Sequence, residues 1–141
     1  REKTGAGVMD VKKALDDASG DEKEAEKLLR ERSVEIVAKK SERETSQGLI
    51  ESYVHLGKIG VLVEINCETD FVARNDEFKA FVHEIALQAA TSEATEVSKL
   101  LEEEYFKQPD KKVKNLLEEA IAKTGENIRI KRFTRYVLGE N

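Results

Sequence analysis

The sequence predicts an α+β chain: a short helical segment, then a core with a three-stranded antiparallel sheet packed against helices on one face. Three patterns carry this. Apolar residues recur at helical spacing ahead of residue 39. Strict alternation runs from Ile59 to Cys67. Helical stripes beginning at Phe78 and Val113 then separate that strand from a last strand-like stretch, Asn127 to Leu138.

Residues 1–38 read as a small helical domain. Val11, Ala14, Leu15 and Ala18 share one helix face, and Gly20 ends that helix because glycine accepts the left-handed cap conformation. Asp21 is placed to cap the next helix, with Glu24 as its capping-box partner and Ala25, Leu28 and Leu29 as the buried stripe. Two short helices bury little by themselves, so a third is expected ahead of Thr4. Arg1-Glu2-Lys3 reads as the tail of such a helix, truncated here, and Thr4-Gly5-Ala6-Gly7 as the interhelical turn.

Residues 39–47 carry no apolar side chain and form the expected linker, which leaves 48–141 as the α+β core. Leu49 to Leu56 is rich in strand formers, Gly57 punctuates, and Ile59, Val61, Val63, Ile65 and Cys67 share one parity, so a hairpin is expected. Asn75 caps a helix whose buried face is Phe78, Phe81, Val82, Ile85 and Ala89. Residues 94–106 suggest a weaker helix through Val97, Leu100, Leu101 and Tyr105. Pro109-Asp110 looks like a restart, with Asp110 capping a helix faced by Val113, Leu116, Leu117, Ala120 and Ile121 and ended by Gly125. In the last segment Ile128 and Ile130 lie on one parity and Phe133 and Val137 on the other, which means either a bulge or two partly covered faces.

Composition narrows the function. The chain has 141 residues, 39% apolar and 38% charged, with 24 Lys and Arg against 29 Asp and Glu, a net charge of −5. That balance argues against a nucleic-acid binder, which needs clustered cations for phosphates. No apolar run reaches membrane-spanning length, and a cytoplasmic location is expected. Cys67 stands alone, so no internal disulfide can form, and no structural zinc site, other metal or cofactor is expected. A thiol enzyme with His55 or His83 as base is conceivable, but Cys67 continues the apolar parity of its strand and reads as a structural thiol. Arg129, Lys131, Arg132 and Arg135 read as an exposed strand face or protected edge, with a contact surface as the alternative.

The segment Thr69-Asp70-Phe71-Val72-Ala73-Arg74-Asn75 stands apart. It places an aromatic and an aliphatic residue in a connection that also carries Asp70 and Arg74. Two placements are open for Phe71: folded back on the core, the commoner fate, or held out as a wedge on a strand–loop–helix frame.

Glu68 to Asn75, preceded by Gly60-Val61-Leu62-Val63-Glu64-Ile65-Asn66-Cys67, closely resembles the signature of the elongation factor Ts family. Thr4-Gly5-Ala6-Gly7-Val8-Met9-Asp10-Val11-Lys12-Lys13-Ala14-Leu15 resembles its second signature, and Gly125-Glu126-Asn127-Ile128 through Arg132-Phe133 resembles its C-terminal stretch. The resemblance implies a three-helix N-terminal domain like ubiquitin-associated domains. It implies a guanine-nucleotide exchange factor rather than an enzyme, with elongation factor Tu as partner. Asp70-Phe71 would insert between helices of the partner's G domain, Thr69 to Val72 would displace magnesium, and Arg1, Val8, Met9 and Arg74 would supply further contacts. Because the core signature occurs once here, the resemblance also implies a two-fold homodimer, one that could not use a disulfide at Thr134. The stretch between Ala90 and Pro109 is shorter than in many relatives. A ubiquitin-associated-type module serving another partner is the alternative; it would need only residues 1–38 and would leave Asp70-Phe71 unexplained.

Overall fold

The hairpin anticipated around Gly57 is the centre of the molecule. The computed structural model describes residues 8–140, and within them the side chains of all but Val8, Ser33 and Ile36. Arg1, the Thr4 to Gly7 turn and the helix expected ahead of it lie outside the described residues.

Among the described residues two helices come first, α1 (Val8–Asp17) and α2 (Glu22–Lys40). Ala14, Ala25 and Leu29 are buried between them, with Val11, Leu15, Ala18 and Leu28 packed around. Gly20 terminates α1 at φ 83, its N–H donating to Leu15 O at 2.8 Å. Asp21 caps α2 by accepting from the N–H groups of Lys23 (3.0 Å) and Glu24 (3.4 Å). The reciprocal capping-box bond does not form, because the Asp21 N–H donates to Ala18 O at 3.1 Å instead. Helix α2 continues to Lys40 and packs along a later helix of the core, with Val37 against the main apolar cluster.

Strands β1 (Gln47–His55) and β2 (Ile59–Cys67) pair antiparallel across a tight turn in which Leu56 and Gly57 take positive φ, 53° and 68°. Such a turn twists with the strands it joins. After β2 come the single turn α3 (Asp70–Ala73), α4 (Asp76–Thr91) and α5 (Val97–Glu102). A two-stranded ribbon, β3 (Glu104–Tyr105) and β4 (Gln108–Lys112), leads to α6 (Val113–Thr124) and β5 (Ile128–Val137). The main sheet has the order β1-β2-β5 and is antiparallel throughout.

Val61, Val63, Ile65 and Cys67 face inward and meet Phe78, Val82, Ile85 and Ala89 of α4 and Ile121 of α6 in one core. The parity slip in the last strand is a bulge. Glu64 lies opposite Arg132 and Ile65 opposite Ile130, so Lys131 is the extra residue, and Ile128, Ile130, Phe133 and Val137 all reach the inner side. The opposite face carries Ile50, Val54, Leu62 and Tyr136 exposed.

Two expectations are corrected. The helix expected over 94–106 shrinks to Val97–Glu102, and Tyr105 belongs to the ribbon, where its hydroxyl donates to Glu84 Oε2 at 2.7 Å. Gln88 of α4 pins that ribbon: its Nε2 donates to Glu104 O (3.1 Å) and its Oε1 accepts the Phe106 N–H (3.0 Å). Asp110 caps nothing. It and Pro109 lie in β4, a short edge position where a missing N–H is tolerated. Helix α6 starts at Val113, and Asn115 Oδ1 accepts the Lys112 N–H at 2.9 Å.

Candidate partner-binding site at the α3 turn

The chain leaves β2 at Cys67 and must reverse within a few residues to enter α4. Thr69 caps the single turn of α3, its Oγ1 accepting from the Val72 N–H at 3.3 Å. The turn closes through Ala73 N–H to Thr69 O (3.2 Å), Arg74 N–H to Asp70 O (3.1 Å) and Asn75 N–H to Val72 O (2.9 Å). Asn75 at once caps α4, accepting from the Glu77 N–H at 2.7 Å. Two caps in seven residues leave this connection little freedom.

The side chains divide sharply. Val72 and Ala73 are buried in the core cluster and anchor the turn. Phe71 is 82% exposed. Asp70 and Arg74 are exposed and form an i,i+4 ion pair at 2.6 Å. Of the two placements open for Phe71, the structure adopts the outward one. Thr69, Asp70, Phe71, Val72 and Arg74 thus belong to one short segment, with Val72 turned inward as support. Met9 is exposed on α1, the side chain of Val8 is not among those described, and Arg1 lies outside the described residues.

Sequence reasoning missed the residues that hold this turn from behind. Glu126 Oε1 accepts from the N–H groups of Glu68 (3.1 Å) and Thr69 (3.0 Å), and its Oε2 accepts from the Thr69 hydroxyl (2.6 Å). Glu68 in turn accepts from the Asn127 N–H at 3.2 Å. No periodicity could reveal bonds between residues almost sixty positions apart. The only pointer was that Gly125-Glu126-Asn127 belonged to a recognisable stretch.

Other chemistry is weakly supplied. Cys67 is fully buried, and burial, followed by the carboxylates of Glu126, Asp70 and Glu68, pushes its thiol up to about 11, far from a thiolate nucleophile at neutral pH. His55 and His83 are both exposed and both lie against Tyr53, His55 through a 2.8 Å hydrogen bond between its Nδ1 and the tyrosine hydroxyl. Among the described residues, no group of three His, Cys, Asp or Glu side chains could hold a metal ion. A cavity of about 410 Å³ opens between α4, α6 and the ribbon, but it shares no lining residue with the α3 turn. No described helix is long and apolar enough to cross a membrane.

A family model for elongation factor Ts matches residues 68–141, the half of the chain that carries the α3 turn and the Glu126 segment. Elongation factor Ts of Thermoanaerobacter sp. (strain X514) is 42% identical over 186 positions, covering 99% of this chain and 91% of that protein. The protein of the same name from Alkaliphilus oremlandii (strain OhILAs) is 43% identical over 185 positions, covering 99% and 86%. The chain belongs to the elongation factor Ts family. Members of this family are exchange factors, so the chain is not an enzyme. The 186 aligned positions exceed the 141 residues present, so at least 45 positions of the first relative face no residue here.

Proposed function

We propose that this protein accelerates GDP release from elongation factor Tu during translation elongation, in the cytoplasm, by inserting the Asp70-Phe71 turn into the partner's G domain. The observation that carries the reading is the outward Phe71 on a doubly capped turn. An exposed aromatic on a mobile loop would lose much of its binding energy to ordering; one already fixed loses little.

The energetics fit. A P-loop GTPase holds GDP through backbone amides, a lysine and magnesium, and magnesium demands near-ideal octahedral geometry. Displacing a supporting helix slightly therefore weakens nucleotide binding. Burying a phenylalanine supplies roughly 1.5–3 kcal/mol, and each ~1.4 kcal/mol is tenfold in an equilibrium constant. Linkage makes the effect mutual: GDP weakens the exchange factor's binding by the same factor. Thr69 and Val72 act in this scheme by shaping the turn, Asp70 and Arg74 by polar contacts at its rim. Residues 1–38, as a three-helix domain like ubiquitin-associated domains, add contacts through Arg1, Val8 and Met9 and are joined through 39–47 to the core, 48–141.

We also propose that two copies pair through the outer sheet face. Ile50, Val54, Leu62 and Tyr136 form an apolar surface across all three strands, and a two-fold axis would let this surface cover itself.

The test loads elongation factor Tu with a fluorescent GDP analogue and follows its release. Phe71→Ala is expected to keep the parent's fold and slow stimulated release at least tenfold. Release as fast as the parent's would remove the insertion mechanism.

A further inference from the structure

Gly125, Glu126 and Asn127 link α6 to β5, and all three are tied to segments distant in sequence. Gly125 caps α6 at φ 76, and its carbonyl accepts from Lys40 Nζ at 2.5 Å, at the end of α2. Glu126 takes the Glu68 and Thr69 amides and the Thr69 hydroxyl, as described above. Asn127, only 3% exposed, donates from Nδ2 to Arg43 O (2.8 Å) and Ser41 O (3.4 Å), while its N–H goes to Glu68. Arg43 closes the circuit with a guanidinium 3.7 Å from Glu68 Oε1.

The Thr69 hydroxyl is the pivot. It has one hydrogen, given to Glu126, and that commitment aims a lone pair at the Val72 N–H, the first bond of α3. A carboxylate is the stronger acceptor for such a bond, and it satisfies two amides that would otherwise need water. The carboxylate therefore fixes the direction in which α3 leaves the sheet, and Phe71 with it.

We propose that Glu126 is a positioning residue for exchange: it orients the turn that presents Phe71, and with Asn127 it ties that turn and the end of α2 into one frame. This rests on the exchange reading above. Glu126 need not touch the partner. Its loss should leave the docking surfaces present but the Phe71 ring misdirected.

The experiment has two arms. In the free protein, amide hydrogen exchange at Glu68, Thr69 and Val72 is compared in the parent, Glu126→Ala and Glu126→Gln. Glu126→Ala should speed exchange at these three amides at least tenfold while the α4 amides stay protected. Glu126→Gln, which keeps one acceptor oxygen, should recover most of the protection. In the second arm, fluorescent GDP release from elongation factor Tu is measured against exchange-factor concentration. Glu126→Ala should lower the maximal rate tenfold or more and shift the half-saturating concentration less than threefold, with partial rescue by Glu126→Gln. A core variant of matched melting temperature, Val63→Ala, should keep the parent's maximal rate per folded molecule. Unchanged protection at Glu68 and Thr69 in Glu126→Ala overturns the positioning role, whatever the release assay gives. A maximal rate that falls equally in Val63→Ala overturns it too, because ordinary destabilisation would then account for the loss. If the parent itself fails to stimulate release, the exchange reading falls, and the role of Glu126 in exchange falls with it even where amide protection is lost.

Discussion

Arg74 holds Asp70 in an exposed ion pair at 2.6 Å, one turn of helix apart, with Phe71 between them in the same turn. The pair joins the two charged ends of a segment whose backbone is already closed by the caps at Thr69 and Asn75. Exposed pairs of this kind contribute about 0–1 kcal/mol. Arg74→Ala should therefore leave the melting temperature within a few degrees of the parent's, which a calorimetric scan can check. Its effect on partner binding should be larger, severalfold in stimulated GDP release below saturation, and should weaken as salt is raised. A large fall in melting temperature would mean that the pair holds the turn together, leaving Arg74 no separate role in contact.

Gly48 has no room for a side chain. A Cβ there would sit 2.1 Å from Ile65 O and 2.7 Å from Asn66 Cα, both backbone atoms of the paired strand, and its φ of 148° is one that side chains rarely adopt. Gly48→Ala must part β1 from β2 next to the strand end that launches the α3 turn. The expected cost is about 3 kcal/mol, roughly a 10 °C drop in melting temperature for a chain of this size. Chemical denaturation of the variant would measure it, and a change below about 0.5 kcal/mol would show that the strand end relaxes freely.

Cys67 gives a pH dependence with a definite sign. Its thiol rises to about 11 in the folded protein from an ordinary value of 9.0, first through burial and then through the carboxylates of Glu126, Asp70 and Glu68. The stability linked to the protonated thiol is complete below the unfolded value and is lost as pH climbs from 9.0 towards 11. At pH 8 the folded thiolate fraction is about a hundredfold below that of the unfolded chain, from ionisation alone. Alkylation of native protein by iodoacetamide at pH 8 should therefore be at least a hundredfold slower than alkylation in urea. Comparable rates would place the thiol at the surface.

Much of this arrangement was legible in the chain. The alternation from Ile59 to Cys67 specifies the inner face of β2 because one face of a strand must be apolar to join a core. The Phe78 stripe identifies α4 for the same reason at helical spacing. The ribbon of β3 and β4 was not legible. It has no pattern of its own and exists because Gln88, on another element, satisfies its backbone groups. Pro109-Asp110 misled because a proline followed by an acid marks a helix start only where no partner strand claims that backbone. At the site, the residues of the turn were readable as a motif. The direction of Phe71 and the grip of Glu126 depend on contacts distant in sequence, which no local pattern encodes.

Leu62 sits in the middle of the outer sheet face, paired across β1 with Ser52 and across β5 with Thr134, while Ile50, Val54 and Tyr136 surround it. In a monomer this position is half exposed, so Leu62→Lys should change monomer stability by only about 0.5 kcal/mol. In a two-fold pair the same substitution would bring two ammonium groups against each other near the axis, on a face where the charged groups Glu64 and Arg132 already pair with each other at 2.8 Å. Burying unpaired charge costs several kcal/mol per ion, which at ~1.4 kcal/mol per tenfold weakens association at least a hundredfold. Sedimentation at micromolar concentration should therefore give the parent twice its chain mass of 15.9 kDa and Leu62→Lys a single chain. Leu62→Ala should fall between them, since it removes apolar area without adding charge. A parent that sediments as one chain at that concentration would leave the outer face without a second copy, and its exposed Tyr136 and Ile50 would need another occupant.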